Sequence, residues 1–262
     1  MSPRVRHILL DVNRRFYDHH AAAFGATRQR PWPGWTRVLE HAPAEGPCLD
    51  IGCGNGRFCG FLDTQDLETR PYLGIDSSLR LLVEARGSLR RCSSAGPGPR
   101  ARWVLGDVAS GREPLSLATP QALVAVFGVL HHIPGETWRR ELLARLLRGL
   151  APAGLLAATV WRLDRAPRFG KRRVPWGTYA AACGKAGLPV VDEGELEPGD
   201  HLLDWSADPS VPRYCHFPTD DEVQRLTEHL KSLGATLVDR FLSDGPSGED
   251  NLYLLFRKAP SC

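Results

Sequence analysis

The chain has 262 residues, 42% of them hydrophobic and 24% charged, with a formal net charge of +3. That length suits one large domain with a substantial core, and the composition excludes a disordered or collagen-like chain. The small positive excess permits an anionic partner without demanding one, so any contact with nucleic acid must rest on local clusters.

Seven cysteines, Cys48, Cys53, Cys59, Cys92, Cys183, Cys215 and Cys262, are odd in number and irregularly spaced, with no CxxC pair. That pattern indicates neither a disulfide framework nor a zinc ribbon. The opening stretch, MSPRVRHILLDVNRRFYDHH, breaks its only apolar run after three residues. This is too short for a signal peptide or membrane anchor, and a reducing, cytoplasmic setting with no membrane is expected.

Residues 12–24 read as a helix, because Val12, Phe16, His20 and Phe24 recur every four residues on one face. The prolines of RPWPGW (30–35) should stop it. Five strand candidates follow: CLDI (48–51), YLGI (72–75), RWVL (102–105), ALVAVF (122–127) and LLAATVW (155–161). Between the second and third, GSLRRCSSAGPGPRA (87–101) reads as a surface loop. Residues 138–150 read as an amphipathic helix, with Trp138, Leu142, Leu143, Leu146, Leu147 and Leu150 as its apolar stripe and Arg139, Arg140, Arg145 and Arg148 off it.

Residues 162–212 break this rhythm. Arg162, Arg165, Arg168, Lys171, Arg172 and Arg173 come first, then Asp192, Glu193, Glu195, Glu197, Asp200, Asp204 and Asp208. An insertion is expected here. A capping box at Thr219–Glu222 then opens a last helix, with Val223, Leu226, Leu230 and Leu233 behind it and Gly234 as its stop. TLVDRFL (236–242) and NLYLLFRK (251–258) close the chain as strands. The alternation predicts an α/β fold, a doubly wound, Rossmann-like sheet with helices on both faces. It divides into a helical segment 1–43, a core of 44–161 and 213–262, and the insertion 162–212, within a single domain.

CLDIGCGNGRF (48–58) places Gly52, Gly54 and Gly56 directly after a strand. No triphosphate-binding GxxxxGK[ST] is present, and a dinucleotide site prefers G-x-G-x-x-G, whereas here Arg57 follows G-x-G-x-G. Asp50 would repel a pyrophosphate but could hold an ammonium. The ligand should therefore carry positive charge, as S-adenosylmethionine does with its ammonium and sulfonium. Asp76 ends the second strand, where a carboxylate can take ribose hydroxyls. Asp107 ends the third, where it can accept from an adenine amine beside the Val108 backbone. Strand ends at a switch point gather all three acids, and Asn55, Ser77 and Phe127 adjoin them as further cofactor candidates. His131 and His132 are adjacent and point in different directions. With no third ligand at metal spacing, one is expected to pack, the other to border the cofactor pocket, and no metal to bind.

Residues 44–161 resemble class I S-adenosylmethionine-dependent methyltransferases. In that family the fourth-strand segment and its loop, here VAVFGVLHHIPG, line the methyl-transfer cavity. The flanks resemble the tRNA wobble-uridine carboxymethyl methyltransferases of eukaryotes: a Tyr/Asp helix leads through Thr27-Arg28 to Trp32-Pro33, and Val174-Pro175-Trp176, Arg213-Tyr214-His216-Phe217 and Asn251 follow in order. The sequence departs at Ala153, where Pro-Gly-Gly is usual, at Cys215, where an aromatic is usual, and in the acidic stretch 192–208. The resemblance implies a seven-stranded methyltransferase sheet and esterification of the carboxylate of 5-carboxymethyluridine in tRNA. Arg28 and Arg213 are the candidates to orient that carboxylate, and His132 is the third catalytic candidate. Thr27, Trp32, Trp176, Tyr214, His216 and Asn251 would contact the nucleoside, and Lys171, Arg172 and Arg173 the RNA backbone. Relatives of this kind use a small zinc-binding activator subunit. A methyltransferase of a small metabolite, with the insertion as a lid, is the alternative. A non-catalytic scaffold is a further one, against which Asp50, Gly52, Gly54, Asp76 and Asp107 speak.

Overall fold

The computed structural model describes residues 1–27, 30–65, 70–92, 101–111, 119–162, 167–205 and 208–260. In chain order the elements are α1 (Pro3–Ala26), α2 (Gly34–His41), β1 (Cys48–Ile51), α3 (Arg57–Asp63), β2 (Tyr72–Asp76), α4 (Leu79–Cys92), β3 (Ala101–Leu105), β4 (Gln121–Val126), α5 (Glu136–Arg148) and β5 (Leu150–Trp161). Then come α6 (Pro167–Gly170), β6 (Arg173–Val174), α7 (Trp176–Lys185), β7 (Asp200–Trp205), β8 (Asp208–His216), α8 (Asp220–Ser232), β9 (Ala235–Ser243) and β10 (Asn251–Lys258).

The main sheet has seven strands in the order β3-β2-β1-β4-β5-β10-β9. β1 pairs in parallel with both β2 and β4, so the connections leave in opposite directions at that point and open a crevice beyond the strand ends. β10 runs antiparallel between β5 and β9. Side chains alternate between two buried layers. Along β10, Leu252, Leu254 and Phe256 join Leu142, Leu146, Val223 and Leu230 on the α5/α8 face. Tyr253 and Leu255 face Trp35, Val38 and Phe58 on the α2/α3 face.

Several elements differ from the sequence expectation. α1 begins at Pro3, and Val5 and Leu9 join Val12 and Phe16 in the buried stripe. The segment expected as a loop from residue 87 is helical through Cys92, while 93–100 lie outside the described residues. The proline-rich stop is also a start, because Pro33, at φ −52°, caps α2 and needs no N–H there.

On α5, Trp138 and Arg139 exchange their expected places. Trp138 is 37% exposed and carries the Arg6 guanidinium 3.8 Å from its ring centroid, whereas Arg139 is 4% exposed. Arg139 is inside because acids meet it there: Nε donates to Glu222 at 2.9 Å and Nη2 to Glu197 at 2.6 Å.

The stretch 162–212 contributes a second sheet, β6-β7-β8. β8 extends to His216, so Arg213, Tyr214 and His216 belong to this sheet. α1 packs along it, with Val5, Leu9 and Val12 against Val174, Val191, Leu202 and Tyr214. The acidic stretch has a structural role. Glu197 pairs with Arg139, and the Asp200 carboxylate accepts from Tyr214 Oη at 2.6 Å and pairs with His216 Nδ1 at 2.7 Å.

Candidate functional site

A cavity of 480 Å³ lies beyond the ends of β1, β2 and β4 and is walled on one side by α1. At one end the chain leaves β1 through Gly52, Gly54 and Gly56, all with positive φ. Gly54 combines φ +55° with open space where a Cβ would stand, so the turn brings backbone alone to the cavity wall. The Asp76 carboxylate is fixed by two backbone donors, Gly54 N and Ser78 N, each at 2.8 Å. Burial holds its pKa above the ordinary value against these donors.

Asp50 is 2% exposed and accepts the Tyr72 hydroxyl. Burial pushes its pKa up to about 7, the Tyr72 hydrogen bond works against that rise, and the charge on Asp76 adds to it. Asp107 lines the same cavity, and its Oδ1 accepts from Ala109 N at 3.0 Å and Ser110 N at 3.1 Å. Asn55, Ser77, Val108 and Phe127 also line it, so nine of the ten cofactor candidates share one cavity; Gly56 faces Trp103 and Ala85 instead.

At the other end, Tyr17, Trp32, His131, His132 and Trp161 form the wall. His132 is held on both ring nitrogens. Nδ1 lies 2.9 Å from the Tyr214 carbonyl oxygen, which can only accept, so Nδ1 carries the proton. Nε2 then accepts from the Tyr17 hydroxyl at 2.8 Å. Burial and the charge of Arg213 push the His132 pKa down to about 3, which leaves it neutral. Asn13 completes a clasp: its Oδ1 accepts from Tyr214 N at 2.9 Å and its Nδ2 donates to His132 O at 3.3 Å. Side chains of α1 and of the turn after β4 thus bracket the backbone of Tyr214. The sequence reading missed Asn13 and Tyr17; their signal was the four-residue spacing on a helix that looked merely amphipathic.

Arg213 is 2% exposed, and its guanidinium lies 5.0 Å from the ring of Trp161 and 5.6 Å from those of Phe16 and Trp205. Its Nε and Nη1 have no hydrogen-bond partner among the described residues. The other expected site residues are dispersed. Tyr214 and His216 are buried in the Asp200 network. Asn251 is buried and donates to Asp244 at 2.8 Å. Trp176 packs against the core between α1 and the second sheet. Lys171, Arg172, Arg173 and Thr27 are exposed, and Arg28 lies outside the described residues.

The fold also assembles two donor groups that the spacing did not reveal, His131–His132–Cys215 and Glu197–Asp200–His216, each within 4.8 Å. Their donors are engaged or poorly suited to a metal. His132 uses both nitrogens, and burial pushes the Cys215 thiol up to about 11. Glu197 and His216 pair with Arg139 and Glu222.

Residues 48–154 match the methyltransferase domain family. Among known proteins, the chain is 29% identical over 150 residues to the tRNA (carboxymethyluridine(34)-5-O)-methyltransferase of Schizosaccharomyces pombe, covering 57% of each. It is 28% identical over 151 residues to the enzyme of that name from Arabidopsis thaliana, covering 58% of this chain and 33% of that one. The chain thus spans between one third and just over half of these relatives. In fold it is similar to an S-adenosylmethionine-dependent methyltransferase from Methanosarcina mazei, with a TM-score of 0.60, 16% identity and coverage of 88% and 99%. Another from Clostridium acetobutylicum gives a TM-score of 0.58 at 11% identity, with coverage of 94% and 98%. S-adenosylmethionine is the cofactor of such a domain, and the cavity suits it: a buried acid and two partly buried ones face a space open to a cationic ligand.

Proposed function

We propose that this chain, which carries an S-adenosylmethionine-dependent methyltransferase domain, esterifies the carboxylate of 5-carboxymethyluridine in tRNA. The observation that carries this reading is Arg213, a buried cation with no acid paired to it among the described residues, beside Trp161 of the cavity wall. Burying such a charge is costly unless something compensates it. The three surrounding rings do so in part, and a planar carboxylate suits its fork.

When bound, the cofactor supplies an electrophilic methyl group on a sulfonium. The acceptor is already ionised at neutral pH, so the protein's task is orientation rather than deprotonation. A neutral His132 with both nitrogens engaged accords with that: it fixes α1 and β8 and takes no proton. The reaction then needs neither a metal nor an obligatory general base. Trp32, half-buried on the cavity wall, offers a ring for a flipped base, and the exposed Lys171, Arg172 and Arg173 offer charge to the RNA backbone.

A small activator subunit would find β3 at the edge of the main sheet, with no strand beyond it among the described residues. Val104 and Leu105 are 44% and 55% exposed there, and Leu79 and Val83 on α4 are 61% and 64% exposed. Turnover of S-adenosylmethionine with bulk tRNA against a panel of small carboxylic acids, with and without candidate activators, tests the reading. Turnover on tRNA supports it. Efficient turnover on a small acid alone would replace it with the metabolite reading.

A further inference from the structure

Arg6, Leu10, Asn13 and Tyr17 follow one another along α1 at helical spacing, so they share one face. Leu10, Asn13 and Tyr17 line the cavity. From Arg6 to Tyr17 the helix rises roughly 16 Å. Asn13 and Tyr17 hold the His132 end. Arg6 stands at the other end, against the one-turn 3-10 helix Val108–Ser110 that Asp107 caps. Its Nη1 donates to the Ser110 carbonyl at 3.2 Å and its Nη2 to that of Ala109. The last carbonyls of a helical turn lack partners inside it, and a cation suits that negative end. The Trp138 ring, 3.8 Å away, covers the guanidinium, which is buried. That indole has a prepared seat: a Cβ at Gly111 or Gly135, both of positive φ, would stand 3.0 Å from it. Two carbonyls and one ring thus compensate a buried charge, and an arginine fork reaches both carbonyls at once.

We propose that Arg6 is a positioning residue for the adenine end of the cofactor: it ties the Val108–Ser110 turn to α1, and through that helix links an occupied adenine site to the wall of Asn13, Tyr17 and His132. The sheet places Asp107 at a strand end, but the turn after it, whose Val108 and Ala109 line the cavity, is held from α1. A ligand seated against the turn therefore favours the docked helix, and the docked helix favours the turn, a linkage that runs both ways. Without Arg6 the turn holds its binding geometry only part of the time, and apparent affinity falls by that fraction. The inference rests on adenine lying beside Asp107 and Val108 and is independent of the tRNA acceptor.

Calorimetry and amide exchange on the full chain test this with two ligands: S-adenosylhomocysteine, and 5′-methylthioadenosine, which keeps adenine and ribose but lacks the amino-acid moiety. In the wild-type chain both should bind, and both should slow exchange over residues 10–20. Arg6→Gln should weaken both by a similar factor, about tenfold, the range expected for charge-assisted hydrogen bonds. At saturating ligand it should also lose the slowing of exchange. Arg6→Lys, with charge but no fork, should recover part of each. Trp138→Leu, at an exposed position, should show the same pair of losses at smaller size, and it decides the matter if Arg6→Gln does not fold. Undiminished affinity for 5′-methylthioadenosine in these variants, or exchange that still slows on binding as in the wild type, leaves Arg6 a purely structural role and overturns the proposal. A loss confined to S-adenosylhomocysteine does the same. Wild-type affinity for 5′-methylthioadenosine in Asp107→Ala overturns the adenine placement beneath it.

Discussion

The glycine-rich end of the cavity is built from backbone turns and from Asp50, Asp76 and Asp107 at successive strand ends. The His132 end is built from side chains of α1, the turn after β4 and β5, which bond to one another and to the backbone of β8. The first end is a property of the parallel sheet and exists wherever that sheet folds. The second exists only once α1 and the second sheet have docked. Substitutions at the two ends should therefore fail differently, the first in cofactor affinity and the second in stability and acceptor handling.

The largest effect is expected where the second sheet is tied to the core. Arg139→Ala leaves Glu197 and Glu222 without the guanidinium that they share. Removing one member of a buried ion pair typically costs about 3–5 kcal/mol, which urea unfolding would read. A loss within experimental error would mean that the network does not hold the two sheets together.

Next comes the cofactor end. Asp76→Ala should weaken S-adenosylhomocysteine by about 1–3 kcal/mol, since it removes a carboxylate that lines the cavity. Its bonds to Gly54 N and Ser78 N go too, so some stability is lost, but less than in Arg139→Ala; a stability loss as large as that of Arg139→Ala would erase the distinction between the two ends.

Asp50 adds a dependence on pH. Its folded pKa is raised, so below about 7 the group is protonated and meets an ammonium poorly. Affinity for S-adenosylhomocysteine should therefore rise with pH toward about 7, by at most about tenfold per unit, and level off above it. For the empty protein the sign is opposite: the stability linked to this group is greatest in acid and is lost as pH rises to about 7. Asp50→Asn should flatten both profiles, and a slope that survives in that variant would assign it to another group.

The smallest effect belongs to the clasp. Tyr17→Phe removes one hydrogen bond to His132, an effect of about 0.5–1.5 kcal/mol. It should loosen α1, seen as faster amide exchange over residues 10–20, while leaving His132 neutral. Exchange unchanged from wild type would show that α1 is held by packing alone.

The glycine-rich end was legible because its signals are local. Glycines after an apolar run, and acids at the ends of successive strands, lie within a few residues of the strands they terminate. The His132 end was not, because its contacts join positions far apart in sequence, such as Asn13 with Tyr214 and Arg139 with Glu197. Sequence periodicity gave Arg139 to the solvent face of α5, and nothing local could reveal the acids that draw it inside. The resemblance drew attention to Tyr214, His216 and Asn251, whose side chains here bond to Asp200, Glu222 and Asp244. Motif positions outside the cofactor half can be held by folding constraints as readily as by a substrate.

The acceptor assignment is tested most directly by incubating the chain with S-adenosylmethionine and tRNA carrying 5-carboxymethyluridine, then reading the product nucleosides by mass spectrometry, alone and with candidate activator subunits. The account predicts the methyl ester of that nucleoside, formed equally well when a chelator is added after assembly and much less by Arg213→Lys at unchanged cofactor affinity. No ester under either condition, together with efficient methylation of a small carboxylic acid, would contradict it.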